Sequence, residues 1–263
     1  MPHILVNDVN FYYEIHGSNE PSVVFISGYT CDHNLWAPIL KQLSEQYRCL
    51  IFDNQGIGET TDNGEILTAK SMAKNIVALF NQLGLEKPIL IGYAMGSNLA
   101  LEIAINYPDK ISKMILLNAV AKWSNFALQA IDEMFAAEKT NNAEQFFELL
   151  AQYVFSKEFW QDENNRDRFK SSQNSIKQSI ENQARQINVL KTFDITDDLY
   201  LITTPTIVVG LKFDVLATKN ESQQLTKKIS RAEYVELATG HVCLTEKPDL
   251  VRSKLCHMLI TRE

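Results

Sequence analysis

"ILIGYAMGSN" (residues 89–98) decides how this chain is read. A short apolar run ends at Gly92, a second glycine follows at Gly96, and the segment continues into "SNLALEIAINYP", a helical stretch. Two glycines so placed let the backbone turn sharply and pack closely, so a strand enters, a helix leaves, and the side chain of residue 94 projects above the sheet. That side chain stands at a helix N-terminus, where unpaired N–H groups and a partial positive charge favour an oxyanion. Residue 94 is alanine.

Similar apolar runs recur on either side. "SVVFIS" (22–27), "CLIFD" (49–53), "PILIG" (88–92), "KMILLN" (113–118), "PTIVVG" (205–210) and "AEYVEL" (232–237) read as short strands covered on both faces. "HILVNDVNFYYEIHG" reads as a hairpin about Asn7 and Asp8. Between strands lie helical stretches, the clearest beginning at Thr68, placing Met72, Ile76, Leu79, Phe80 and Leu83 on one face and stopping at Gly84. Strands alternating with helices imply an α/β fold with a mostly parallel eight-stranded sheet and helices on both faces. From Trp123 to about Asp194 the alternation stops, and aromatic and aliphatic residues recur at helical spacing among Gln, Asn, Glu and Lys. The expected organisation is a core of residues 1–121 and 195–263, with 122–194 a helical cap over the carboxyl edge of the sheet, where open α/β sheets bind ligands.

Composition narrows the functional classes. The 263-residue chain is 45% hydrophobic and 22% charged, with net charge −7, which suits a globular protein and argues against nucleic-acid or anionic-membrane binding. Its longest apolar runs fall far short of the roughly 20 residues a membrane-spanning helix needs, and the start "MPHILVNDVNF" lacks the features of a secretory signal. A cytoplasmic location is expected. Cys31, Cys49, Cys243 and Cys256 show no metal-ligand spacing and are expected as free thiols.

The elbow, together with four further segments, resembles the α/β-hydrolase fold family over nearly the full chain. "FISGYTCDHNLW" resembles the segment after the third strand, with Ser27-Gly28 where His-Gly is usual. "IFDNQGIGET" resembles the family's Asp-x-x-Gly-x-Gly loop, "VVGLKFDVLA" the strand end that presents the acid, and "ELATGHVCLTEKP" the loop that presents the histidine. The resemblance implies Asp214 as the acid, His241 as the general base, Ala94 at the nucleophile's place, and the backbone N–H groups of Tyr29 and Met95 as the oxyanion hole. Chain order agrees, and the 26 residues between Asp214 and His241 suffice for one helix and one strand. Asn118 ends its strand where some relatives carry their acid, but it is neutral, which favours Asp214.

Without a hydroxyl at position 94 no acyl-enzyme forms, and loss of such a nucleophile lowers turnover by roughly 10⁶. The retained Asp and His favour reading Ala94 as a replaced serine in a carboxylic ester hydrolase. The alternative is a natural non-catalytic member that binds a ligand or partner. Met95 after the apex resembles the Ser-Met-Gly of esterases rather than the Trp usual after the Asp nucleophile of dehalogenases.

No metal or cofactor is required. Gly28, Trp123, Phe126, Phe146, Phe147 and Trp160 are candidate substrate-lining residues. The layout resembles small-ester hydrolases, among them methyl esterases, enol-lactonases and the esterase for pimeloyl-carrier-protein methyl ester in biotin synthesis. Residues 157–191 carry seven basic against five acidic side chains, so Arg166, Arg168 and Lys170 are candidates for docking an acidic acyl carrier protein.

Overall fold

The computed structural model describes residues 2–172 and 178–260. Alternating apolar residues at the amino end form β1 (His3–Val6) and β2 (Val9–His16), which pair antiparallel through a turn whose Asn7 and Asp8 both take positive φ. Six more strands follow: β3 (Ser22–Ile26), β4 (Arg48–Phe52), β5 (Ile89–Tyr93), β6 (Lys113–Leu117), β7 (Thr206–Leu211) and β8 (Ala232–Leu237). Each lies within one residue of its expected limits. They form one eight-stranded sheet in the order β1-β2-β4-β3-β5-β6-β7-β8, with β2 antiparallel to β4 and β3 to β8 mutually parallel. Every residue of β3 and β5 is buried, which is why these strands read as continuous apolar runs rather than as alternation.

The helices are α1 (Ala37–Leu43), α2 (Ala69–Gln82), α3 (Met95–Asn106), α4 (Asn125–Lys139), α5 (Ala143–Tyr153), α6 (Lys157–Gln161), α7 (Glu163–Ser172), α8 (Ile180–Thr192), α9 (Lys219–Lys228), α10 (Cys243–Glu246) and α11 (Pro248–Ile260). Helix α2 starts where its sequence signals a start. The Thr68 side chain accepts from Ser71 N while the Ser71 side chain accepts from Thr68 N, which pairs two otherwise orphaned donors.

The chain winds from β3 outward to β4 and then back across to β5, so the strand order reverses beside β3. At such a reversal the loops leaving the carboxyl ends of neighbouring strands splay apart and leave a crevice. Residue 94 follows β5 at this edge.

Helices α4 to α8 form the insertion between β6 and β7. Its neck is closed by a bridge between Lys122 and Asp194, where the ammonium lies 2.8 Å from the carboxylate. Hydrogen bonds from Lys122 and Thr196 bring the Asp194 carboxyl down to about 2. No helix among the described residues is long and apolar enough to cross a membrane.

Candidate active site

At the apex, Ala94 has φ 49° and ψ −114°, a conformation that a side chain disfavours. The neighbours explain how the chain holds it. A Cβ on Gly92 would lie 2.6 Å from Ser97 Cα, and one on Gly96 would overlap the Ile26 carbonyl. Only glycine at both places lets α3 start against β3 and β5. Ala94 N donates to Leu117 O at 3.1 Å and Asn118 Oδ1 at 3.2 Å, so β6 also fixes the elbow. Ser97 lies one turn into α3, buried, its hydroxyl donating to Leu117 O at 2.9 Å.

Asp214 and His241 follow β7 and β8 and meet at the same edge. His241 Nδ1 lies 2.8 Å from Asp214 Oδ2, and Asp214 Oδ1 accepts from Leu216 N at 2.8 Å and Ala217 N at 3.0 Å. With Nδ1–H donating to the carboxylate, Nε2 is the basic atom of the ring. The His241 backbone is held on three sides. Its N–H donates to Val154 O at 2.8 Å, and its carbonyl accepts from Tyr93 Oη at 2.9 Å and Asn118 Nδ2 at 3.2 Å. Burial raises the Tyr93 hydroxyl far above its ordinary pKa, which keeps it a donor.

Glu246, in α10, ties the histidine loop to the insertion. Its carboxylate accepts from Ser156 N at 2.6 Å, Ser156 Oγ at 2.7 Å and Gly240 N at 3.0 Å. The insertion therefore braces the loop that carries His241.

Neither Met95 N–H nor Tyr29 N–H has a hydrogen-bond partner among the described residues. One opens α3; the other lies in the loop after β3. A Cβ on Gly28 would fall 2.9 Å from the Tyr93 ring, so that loop lies against the elbow strand. Helix α8 covers the loop: Tyr29 Oη donates to Gln183 Oε1 and Thr30 N to Gln186 Oε1, each at 3.3 Å. These two glutamines were not singled out in the sequence. The available signal was two amides in register with Ile187 and Leu190 on the buried face of a helix.

Of the aromatic candidates, Trp123 reaches the site, its ring centroid 6.5 Å from that of His241 and its Nε1 donating to Asn98 Oδ1 at 2.8 Å. The others pair within the insertion: Phe126 with Tyr153, Phe146 with Phe147, and Trp160 with Phe155 and Phe169. Phe126 is 53% exposed. Trp160 and Phe155 line a cavity of about 580 Å³ with Phe213 and Val215, the two neighbours of Asp214 in the chain. Arg166 is engaged locally, donating to the Trp160 carbonyl at 2.8 Å and pairing with Glu163. The side chains of Arg168 and Lys170 lie outside the described residues.

Asp53, from the Asp-x-x-Gly-x-Gly segment, is fully buried and accepts from His33 N at 2.7 Å and Glu59 N at 2.9 Å, with the His33 ring at 2.8 Å. It ties loops together beneath the crevice. All four cysteines are free, and burial pushes the Cys31 thiol up to about 12 and that of Cys243 higher still. Neither is a thiolate at neutral pH.

Comparison with known proteins agrees with this fold. The family profile described as the alpha/beta hydrolase fold matches residues 21–248. A curated relative, "Putative carbamate hydrolase RutD" of Rhizobium rhizogenes, is 27% identical over 261 residues, covering 95% of this chain and 98% of its own. Among solved structures, the alpha/beta hydrolase MGS-M2 from a Medee basin deep-sea metagenome library superposes with a TM-score of 0.91 at 22% identity, covering 100% of this chain and 98% of its own. The enol-lactonase of Burkholderia xenovorans LB400 gives 0.89 at 21% identity, covering 99% and 100%.

Proposed function

Because the chain belongs to the α/β-hydrolase fold family, we propose that it hydrolyses a small carbamate or ester by direct attack of water, with His241 as general base and no acyl-enzyme. The observation that carries this is an intact dyad, His241 Nδ1 2.8 Å from Asp214 Oδ2, at an elbow whose apex side chain is a methyl group. An Asp-oriented imidazole can act as a general base toward water as well as toward a serine hydroxyl. Relatives named for carbamate hydrolysis support this substrate class.

The steps follow from the residues. His241 Nε2 removes a proton from water as its oxygen bonds to the substrate carbonyl. The N–H groups of Met95 and Tyr29 receive the oxyanion, where such donors are worth about 10²–10³ in rate each. Asp214 stabilises the imidazolium without itself becoming protonated. On collapse, the carbon–heteroatom bond breaks and Nε2–H passes its proton to the departing alcohol or amine.

In the test, the protein is incubated with small carbamates and with p-nitrophenyl esters while product release is followed and intact protein mass is recorded. Turnover without a covalent adduct, abolished in His241→Ala, is expected. Absence of turnover on both panels would sink the reading.

The same geometry supports a second reading, a serine esterase whose nucleophile is missing, because Asp214 and His241 meet at the sheet edge where the elbow turns. A serine codon at position 94 of the encoding gene would establish it over the first. A carrier-protein methyl ester as its substrate rests on the basic excess around Arg166, whose guanidinium already bonds neighbouring carbonyls.

A further inference from the structure

Asp214 is buried, yet its two neighbours in the chain are not: Phe213 is 43% and Val215 39% exposed. A single apolar side chain at a surface needs no explanation. These two, however, open onto one cavity of about 580 Å³, whose other lining residues all belong to the insertion, at the end of α5 and along α6. Phe213 N donates to Thr239 O at 3.0 Å, which fixes the core side of the cavity to the turn after β8.

The insertion side is aromatic and held by its own packing. Phe155 is buried, stacked on Phe159 with ring centroids 5.0 Å apart and on Trp160 at 4.9 Å, while Phe169 meets it edge-on at 4.7 Å. Cavities of about 300–1,000 Å³ with such walls and a few polar groups are the size that takes small organic ligands. Two charged residues line this one, Lys157 and Glu158. The Glu158 carboxylate lies 3.7 Å from Lys247 Nζ, whereas Lys157 has no ion-pair partner among the described residues. A further ammonium, that of Lys212, stands 5.3 Å from the centroid of the Phe213 ring. The carboxylates of Glu246 and Asp214, bonded to Ser156 and His241, are not among the lining groups. The acidic lining residue is therefore matched and the basic one is not, so the cavity favours an anion.

We propose that this cavity is a binding site for a small aromatic carboxylate, its rings against Trp160, Phe213 and Val215 and its carboxylate paired with Lys157. Aromatic walls favour a flat, rigid body over a flexible chain, which loses more conformational freedom on binding. Tyr29, Ala94, Met95 and His241 do not line the cavity, so the site goes beyond the hydrolytic reading and stands without it. A ligand seated there touches insertion and core together, on the core side at the residues that flank Asp214.

The test titrates naphthalene-2-carboxylate, and its neutral counterpart naphthalene-2-carboxamide, into the intact chain, with affinity from calorimetry and location from amide NMR shifts. Binding of the carboxylate at millimolar concentration or below is expected, with shifts centred on residues 152–161 and 212–215. Phe213→Ser and Lys157→Gln both change exposed side chains, and thermal melts establish that each variant is folded. Phe213→Ser is expected to weaken the carboxylate about tenfold. Lys157→Gln is expected to weaken it about threefold or more and to leave the carboxamide unchanged. No binding of the carboxylate by the parent at about 10 mM overturns the proposal. Shifts centred on residues 28–30 and 94–96 that persist in Phe213→Ser place the ligand over the elbow and overturn it as well. Equal affinity of Lys157→Gln and parent for the carboxylate overturns the assignment of an anion.

Discussion

Ala94 stands at the apex of the turn between β5 and α3, and its φ of 49° and ψ of −114° have a cost. Non-glycine residues in such regions carry strain on the order of 1–3 kcal/mol. Ala94→Gly relieves that strain while adding roughly 0.4–1 kcal/mol of unfolded-state entropy. Its unfolding free energy is therefore expected to equal or exceed the parent's by up to about 2.5 kcal/mol in denaturant titration, against the loss glycine usually brings. Ala94→Ser is expected to raise p-nitrophenyl acetate hydrolysis by roughly three or more orders of magnitude. A burst and an acetyl adduct by mass spectrometry should accompany it, and both should disappear when His241 is also replaced by alanine. At this scale the placing of Ala94, Asp214 and His241 at one edge of the sheet was legible because each follows an apolar strand. Asn118 was read only for its lack of charge, whereas the structure uses its amide to link Ala94 N to the His241 carbonyl. Gln183 and Gln186 escaped notice because amides in a Gln-rich and Asn-rich segment resemble a solvated face until the helix is docked.

Among elements, the β8–α10 turn that carries His241 is where the proposed chemistry meets packing against the insertion. Glu246 accepts three hydrogen bonds, two from Ser156 and one from Gly240, beside the His241 N–H bond to Val154. Hydrogen bonds to a charged group contribute about 1.5–3 kcal/mol each when well made. Glu246→Ala is expected to lower kcat on the preferred substrate by roughly ten- to hundredfold with a smaller change in KM, since positioning of the base is what is lost. Equal kcat in a folded Glu246→Ala would refute this. Strands β3 to β7 were legible to within a residue because burial on both faces leaves apolar runs bounded by polar turns, whereas β8, also expected to be covered on both faces, is an edge strand with only Leu237 buried. The insertion was legible as helical, yet its aromatic stripe suggested a substrate wall. In the structure Phe146, Phe147, Phe155, Trp160 and Phe169 pair with one another, and periodicity alone cannot tell an internal seam from a pocket lining.

For the molecule as a whole, the neck at Lys122 and Asp194 gives a pH signature. The Asp194 carboxyl is lowered from 3.8 to about 2, so its stabilising contribution is complete above the ordinary carboxylate value and is lost as pH falls from 3.8 toward 2. The pair is exposed, so Asp194→Asn is expected to lower Tm by about one or two degrees at neutral pH and by nothing at the acid end of that window. The mostly parallel eight-stranded sheet was legible from the alternation of strands and helices, whereas the order of the strands and the bonds joining insertion to core involve residues distant in sequence and left no local trace. Amide hydrogen exchange should show that coupling as similar opening free energies at His241 N–H and at Ser156 N–H. Because Val154 and Ser156 support the turn that presents His241, the proposed base, the insertion is not an interchangeable part. Grafting a lid from a related hydrolase onto this sheet would bring a new ceiling for the crevice and at the same time remove the scaffold of its histidine. Recombination that seeks new substrates should therefore keep residues 154–156 with 240–246 and exchange only what lies between them and α8.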